Sequence, residues 1–189
     1  MKKTLTVLLA LVLVIAMSVA GTMAYLTSTD KVENTFTVGN VKITLDEAPV
    51  DANGAATTGN RVKANSYKLI PGHPYSKDPT IHVAAGSEDC WLFVKVEDGL
   101  ADIEADTTIA AQLTANGWTA TAEGSNIYAR AAANKAGDNV LVFSGFTLKG
   151  DADVARYEDA KIVVTAYAVQ ADGFGTAAEA LKAAPFPTT

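Results

Sequence analysis

The chain has 189 residues, a length that fits one domain with a tail. Fifteen basic against 21 acidic residues give a net charge of -6, which argues against a nucleic-acid-binding protein, because such a protein needs a basic face to meet phosphates. A single cysteine excludes an intramolecular disulfide framework and a zinc site built mainly from thiolates. The hydrophobic fraction of 49% is inflated by one apolar block at the N-terminus.

The first 24 residues have the pattern of a cleavable export signal. Two lysines precede an apolar run over residues 5–20, as in the charged and hydrophobic regions of a signal peptide. Thr22 and Ala24 are small residues at the -3 and -1 positions of a cleavage site, which places the cut between Ala24 and Tyr25. Removal of this segment changes the net charge to -8 and predicts a soluble, secreted protein of 165 residues.

Other interpretations of this segment stay open. The cut can also follow the small residues at 18–20, or fall one residue after Ala24. An uncleaved membrane anchor is a further alternative, since the apolar run approaches the roughly 20 residues that span a bilayer. No cluster of Lys or Arg follows the run, so its flanks favour a signal peptide over an anchor.

Alternating side chains after the cut predict β structure. Residues 35–38 alternate between threonine and the apolar Phe36 and Val38. Residues 41–45 also alternate, but with the opposite parity. A bulge or bend at residues 39–40 produces such a change of phase. We therefore predict two short strands, or one bent strand, with one buried face.

Further strands follow at close spacing. Residues 90–96 are nearly all apolar and favour β structure, which predicts a central strand covered on both faces. Residues 46–64 are polar and small and predict a loop, mobile if nothing binds it. The other predicted strands cover residues 66–70, 80–83, 118–122, 127–130, 140–148 with an interruption at Gly145, and 161–170.

Two short helices are predicted among these strands. Asp106 or Thr107 caps the first, which runs to about residue 116 and stops at Gly117. Its predicted buried face consists of Ile109, Ala110 and Leu113. The second covers residues 176–184. Eight or nine short strands with one or two inserted helices predict an all-β fold, an antiparallel β-sandwich.

The chain carries no recognisable catalytic or phosphate-binding motif, so we predict no enzyme, no catalytic residue and no cofactor. His73 lies in a predicted turn and His82 on a predicted strand. They share a metal only if the turn folds back, and no third ligand is indicated, so structural roles are favoured and no metal is predicted.

Two other features allow chemistry but favour simpler interpretations. The acidic residues Glu97, Asp98, Asp102, Glu104 and Asp106 offer oxygens for calcium, but the run lacks a Gly-punctuated calcium loop, so a solvated acidic turn is favoured. Cys90 can be a reactive thiol or pair between chains. A buried thiol that packs as a small hydrophobe is the favoured interpretation.

The segment after the cut, residues 25–38, is polar with scattered apolar side chains. The apolar residues that we propose as assembly residues are Leu26, Val32, Phe36 and Val38. An extended arm of this kind can add a strand to the open sheet edge of a neighbour, where alternate side chains fill pockets. A frayed tail, or an edge strand within its own domain, are the alternatives that the residues leave open.

Two segments in this region resemble the start of TasA/camelysin-family proteins. They are Gly-Thr-Met-Ala-Tyr-Leu-Thr at residues 21–27 and Asn-Thr-Phe-Thr-Val-Gly-Asn-Val-Lys-Ile-Thr-Leu at residues 34–45. Shorter pieces at residues 68–72, 78–81 and 167–170 resemble secreted relatives with the same opening. The resemblance covers the first 45 residues well and the remainder only by scattered pattern.

The resemblance implies a jelly-roll sandwich secreted by a Gram-positive bacterium, after cleavage by a dedicated endoplasmic-reticulum-type signal peptidase. It also implies extracellular biofilm-matrix fibres, in which the segment after the cut completes the sheet of the next subunit by donor-strand complementation. The matching stretch here is residues 26–36, anchored on Phe36 and Gly39. The expected organisation is a signal peptide at 1–24, an arm at 25–38 and a sandwich domain at 39–189.

The implied partners are copies of the chain in a head-to-tail filament, with a minor matrix or anchoring protein as a further candidate. Two alternative functions remain at this stage. One is a camelysin-like cell-surface metalloprotease using His73, His82 and carboxylates such as Glu97, although no ligand set of known spacing supports it. The other is a monomeric surface adhesin.

Overall fold

The computed structural model describes residues 39–105 and 107–187, so the predicted signal peptide and the predicted strand at 35–38 lie outside the described residues. The described part consists mostly of strands in antiparallel sheets with two short helices. The all-β prediction is therefore confirmed.

Nine strands and two α-helices occur in the described residues. The strands are β1 (Ile43–Asp46), β2 (Pro74–Ser76), β3 (Thr80–Val83), β4 (Cys90–Asp98), β5 (Trp118–Ala120), β6 (Ile127–Arg130), β7 (Asn139–Leu141), β8 (Gly145–Thr147) and β9 (Ile162–Gln170). The α-helices are α1 (Ile109–Ala115) and α2 (Ala177–Ala183), and two single 3-10 turns cover Ala101–Ile103 and Val154–Tyr157.

The strands form three antiparallel groups. One sheet has the order β1-β3-β7, another the order β5-β6-β4-β9, and β2 pairs with β8. The longest ladder joins β4 to β9, in which Cys90 pairs with Gln170 and Asp98 with Ile162. The nine consecutive residue pairs of this ladder form the central part of the four-stranded sheet.

One main core combines side chains from both larger sheets. Ile81 of β3 and Val140 of β7 belong to it, as do Leu92 and Val94 of β4. A smaller cluster on the other face of β4 contains Trp91, Phe93, Val169 and Ala180, the last of which comes from α2. Strand β4 is thus buried on both faces, as its apolar composition predicts.

Helix α1 begins later than predicted. Its N-cap is Thr108, whose hydroxyl accepts from the backbone N–H of Ala111, rather than Asp106 or Thr107. Ile109 and Leu113 are buried as expected, whereas Ala110 is exposed. The predicted stop is confirmed, because Gly117 follows the C-cap with a positive φ of 79°.

Residues 66–70 form no strand, so that prediction is wrong. The side chain of Tyr75 replaces the expected ladder, because its hydroxyl accepts from the N–H of Ile70 at 2.6 Å and donates to the carbonyl of Lys68 at 2.7 Å. The N–H of Lys68 donates instead to the carbonyl of Ala52. Alternation of Tyr67 and Leu69 reflects packing on the core without strand pairing.

The predicted strand at 140–148 divides into two strands of different sheets. β7 pairs with β3, and β8 pairs with β2. Val142 and Phe143 lie between them with no exposed surface, so the apolar run continues through the break. The break falls before Gly145 rather than at it.

The loop at 46–64 is tied to the sheets. Arg61 hydrogen-bonds to Asp46, Asp78 and Thr80, which anchors the end of the loop beside β1 and β3. Gly54 lies against the Tyr75 ring with a φ of 81°, where a larger residue would clash. These contacts explain why a polar, irregular segment has a defined path.

Candidate assembly groove at the open edge of the four-stranded sheet

The residues that the sequence nominates for cleavage and assembly lie outside the described residues. They are Ala24, Tyr25, Leu26, Val32, Phe36 and Val38, all of which precede residue 39. The structure describes the domain that follows them, and therefore the surfaces to which an added strand can bind.

Strand β9 has one open backbone edge among the described residues. Gly99 N–H donates to the carbonyl of Lys161, and Ala171 N–H donates to the carbonyl of Asp89, both at the ladder with β4. Odd-numbered residues of β9 therefore direct their backbone groups toward β4, and even-numbered residues direct theirs away from it. The even-numbered residues are Ile162, Val164, Ala166, Ala168 and Gln170.

The apolar members of that even-numbered set are incompletely covered. Ile162, Val164, Ala166 and Ala168 pack against the main core, yet each is only partly buried. The core-facing residues of β4 at the same level, such as Leu92 and Val94, have no exposed surface. Apolar area that faces a core and remains accessible favours a further covering element.

A groove of about 740 Å³ opens where β9 begins, beside the end of β1. Its apolar lining includes Leu45, Tyr67, Leu69, Phe146, Ile162 and Val164. Lys63, Glu158 and Lys161 also line it. We call this feature the assembly groove. Because it combines apolar side chains with the open edge of β9, it has the two components that bind an added strand.

A buried ion pair forms part of the groove wall. Lys77 Nζ lies 2.6 Å from Glu47 Oε2, and the two side chains are only 11% and 6% exposed. Burial, and to a smaller extent the negative charge of Glu47, raises the pKa of the Tyr67 phenol well above its usual range. The phenol is therefore neutral at every physiological pH, and its hydroxyl donates to the carbonyl of Ser76 at 3.2 Å.

The neighbouring edge of β1 is closed at this end. The ammonium of Lys63 donates to the carbonyl of Leu45. Glu47, the residue that follows β1, exchanges two backbone hydrogen bonds of 2.9 and 2.7 Å with Val62. A lysine and a pairing loop are common means of closing a sheet edge, so the edge of β9 is the better acceptor in the groove.

The two histidines bind different partners. His73 Nε2 lies 2.8 Å from the carbonyl oxygen of Asn53. His82 lies between Asp46 Oδ1, at 2.9 Å, and the side chain of Asn139. No group of three or more His, Cys, Asp or Glu side chains able to hold a metal occurs in residues 39–105 and 107–187.

The prediction that the acidic residues between 97 and 106 form a solvated turn is wrong for Glu104. The Glu97 side chain is 50% exposed and pairs with Lys95 at 2.8 Å, as a surface residue does. Glu104, in contrast, is only 4% exposed. It lies in a one-residue β-bridge with Leu148, and its Oε2 accepts from the N–H of Ile109 at 3.0 Å.

The carboxyl groups of Glu104 and Asp98 lie within hydrogen-bonding distance of each other. Burial, together with the negative charge of Asp98, raises the pKa of Glu104 to about 7. Burial also raises the pKa of Asp98, and Asp102 adds to this. Glu104 Oε1 has no hydrogen-bond donor among the described residues. Two ionised carboxylates only accept, so this pair requires a proton to form its hydrogen bond.

The prediction of a buried thiol at Cys90 is confirmed. Cys90 is completely buried in the main core, and its backbone exchanges hydrogen bonds with Asn134. Burial, assisted by the nearby charges of Asp89 and Asp138, raises the pKa of the thiol to about 11. Both burial and a high pKa disfavour the reactive thiolate.

Sequence reasoning did not nominate the groove residues. The signal in the sequence is indirect: residues 161–170 are apolar at both odd and even positions, which does not show which face lacks a cover. The groove arises from Leu45, Tyr67 and Val164, which are far apart in sequence. Glu104 was hidden in an acidic run of otherwise ordinary surface composition.

The chain matches no protein-family model, and comparison with curated proteins and with solved structures gave no match. Across the described ranges, no helix combines the length and apolar character needed to cross a bilayer.

Proposed function

We propose that this chain is an exported structural subunit of extracellular matrix fibres, of the type that the resemblance to the TasA/camelysin family implies. Residues 25–38 of one copy, freed by removal of residues 1–24, add a strand along β9 of the next copy. The added strand completes a jelly-roll sandwich, and repetition of the contact gives a head-to-tail filament.

The observation that carries the proposal is the open edge of β9. Among the described residues, the even-numbered residues of β9 have no backbone partner, and their apolar side chains are half-covered, at an edge that continues into the assembly groove. A bound strand supplies hydrogen bonds to these backbone groups and covers these apolar side chains. The same contact would also protect a long strand edge from non-specific pairing.

The arm has the length and pattern of such a strand. Fourteen residues, 25–38, span about 46 Å when extended, whereas the nine residues of β9 span about 30 Å. All four proposed assembly residues have even numbers, so they share one face of an extended strand. The odd-numbered residues between them, such as Thr35 and Thr37, are polar and suit the outer face.

The described start of the domain lies beside the end of β9. Gly39 lies beside Gln170 at the end of β9, whereas the assembly groove lies at the beginning of that strand. Neither Gly39 nor Asn40 has the positive φ of a two-residue hairpin turn, which would fold the arm back onto β1. A contact between the arm of one copy and the groove of the next is heterologous, and a heterologous contact repeats.

The first test is deletion of the arm. The mature protein beginning at Tyr25 and a version lacking residues 25–34 are purified and compared by electron microscopy and size-exclusion chromatography. We expect filaments from the first protein and monomers from the second. Filaments that form equally well without the arm would contradict donor-strand complementation, and a monomeric mature protein at high concentration would support a surface adhesin instead.

A point substitution gives a finer test. Phe36→Ala removes the largest side chain of the arm's apolar face, so we expect the rate of filament growth to fall by about tenfold or more. Thr37→Ala is the matched control, because the neighbouring side chain belongs to the opposite face. Equal growth rates for the two variants, measured by light scattering, would argue against the predicted phase.

A further inference from the structure

Asp98, which is partly buried, and Glu104, which is buried, form a carboxyl pair next to residues that line the assembly groove. Asp98 Oδ1 accepts from the N–H of Leu100 at 2.9 Å. Leu100 is 4% exposed and lines the groove, and Asp98 is paired with Ile162, another lining residue. The carboxyl group of Asp98 is therefore hydrogen-bonded to one residue of the groove wall.

Glu104 connects the same pair to helix α1. Its Oε2 accepts from Ile109, the first residue of that helix, while its Oε1 has no donor among the described residues. Strand-like backbone bonds hold the segment on both sides, since Ala105 N–H donates to Thr147 and Lys149 N–H donates to Ile103. The carboxyl group cannot turn to solvent without loss of these contacts, because its residue is almost completely buried.

The described surroundings of the pair supply negative charge and no compensating cation. Asp102 lies near Asp98 and disfavours its ionisation. Lys149 is the basic residue on the neighbouring segment, but its ammonium donates to the carbonyl oxygen of Asp102 at 2.7 Å. Among the described residues, neither Asp98 nor Glu104 belongs to an ion pair. A shared proton is therefore the means by which these two groups coexist without repulsion.

We propose that Asp98 and Glu104 share one proton that keeps the assembly groove in its strand-binding form, so that alkaline conditions weaken filament growth. When the proton passes to water or buffer, two adjacent carboxylates repel each other. Either Asp98 releases Leu100 or Glu104 releases Ile109, and the groove wall moves. This inference rests on the proposed function, because it regulates the same groove.

The test compares filament growth at about pH 5.5 and about pH 8.5 for the mature wild-type protein and for Glu104→Gln. Glutamine keeps the shape, accepts from Ile109 through its oxygen and donates to Asp98 through its amide. We expect wild-type growth to slow by about tenfold or more at the higher pH, and the variant to grow equally at both. Glu123→Gln is the control, since it removes one carboxylate charge at an exposed residue, as Glu104→Gln does at the higher pH, and it should retain the wild-type slowing.

The possible outcomes separate the two proposals. Wild-type protein that forms no filament at either pH contradicts the proposed function, and the regulation with it. Filaments that grow equally fast at both pH values contradict only the regulation, as does a Glu104→Gln variant that slows like the wild type. Slowing that disappears equally in Glu104→Gln and Glu123→Gln assigns the effect to net charge and also overturns the shared proton.

A second measurement does not depend on the folding of a variant. The side-chain carboxyl carbons of Asp98 and Glu104 are followed by NMR in the mature protein that lacks residues 25–34 and carries no substitution. Under the proposed function, this protein stays monomeric. We expect both signals to respond in one common titration step near neutral pH, with the Ile109 amide shifting in the same step. A carboxyl carbon of Glu104 that titrates alone in the ordinary range of exposed glutamates would overturn the inference.

Discussion

Strands β4 and β9 have the same length and are paired residue by residue, but they differ in burial. Every core-facing residue of β4, from Cys90 to Val96, is buried. Of the residues paired with them on β9, Val164, Ala166 and Ala168 are apolar but partly exposed, and Gln170 is exposed. The reason is position: β4 lies between β6 and β9, whereas β9 pairs with one strand among the described residues.

The difference in burial between β4 and β9 shows that the apolar composition of a strand does not determine which elements cover it. β9 carries more apolar surface than its neighbours in the described domain cover, and an added strand is the simplest element that covers both its edge and its core face. The comparison therefore predicts different consequences for substitutions at equivalent positions of the two strands.

The largest expected effect distinguishes the core of β4 from that of β9. Leu92→Ala should lower the free energy of unfolding by about 2–5 kcal/mol, since it leaves a cavity around a fully buried side chain. Val164→Ala should cost only about 1 kcal/mol in the monomer, because that side chain is half-buried and smaller. Urea unfolding of the arm-deleted protein measures the loss of unfolding free energy for each variant. Similar losses would show that the core-facing side chains of β9 are already covered in the monomer.

The second effect concerns the turn that follows β4. The raised pKa of Glu104, about 7 against the usual 4.5, means that folding disfavours its ionised form. The associated stability is present below about pH 4.5 and is lost as the pH rises through 7, by up to about 3 kcal/mol. Glu104→Gln should remove this loss in urea titrations, and an unchanged pH profile would contradict the assignment.

A smaller effect on the free energy of unfolding is expected from helix α2, which covers the outer face of β4 and β9. The hydroxyl of Thr176 accepts from the N–H of Glu179 at 3.2 Å and caps α2, which buries Ala180 against Trp91 and Phe93. Thr176→Ala should lower the free energy of unfolding by about 1 kcal/mol. Thr176→Ser is the control, because it keeps the capping oxygen, and equal losses for both would argue against the cap.

The smallest effect is expected on the exposed side of β9. Val163 is 42% exposed and belongs to the odd-numbered set, which faces away from the main core. Val163→Thr preserves the β-branched shape and should change the free energy of unfolding by less than about 0.5 kcal/mol. A loss above about 1 kcal/mol in urea unfolding would show that the Val163 side chain is covered in the folded protein.

Local patterns predicted much of the fold. β4 and β9 follow from uninterrupted apolar and β-branched residues, and α2 from its alanine-rich segment before Pro185. The failures have tertiary causes. Residues 66–70 alternate like a strand, but Tyr75 satisfies their backbone instead, and the run after Val140 divides because its two halves pair with different strands.

The sequence by itself determined the class of structure. Side-chain alternation sets which residues point inward, and the charge and apolar run at the N-terminus set the expectation of export, because both are local properties of the chain. Only the tertiary structure decided where a strand can be added and which carboxyl group is buried. An open sheet edge and the burial of Glu104 depend on neighbours distant in sequence, such as β4, β8 and the segment at 63–69.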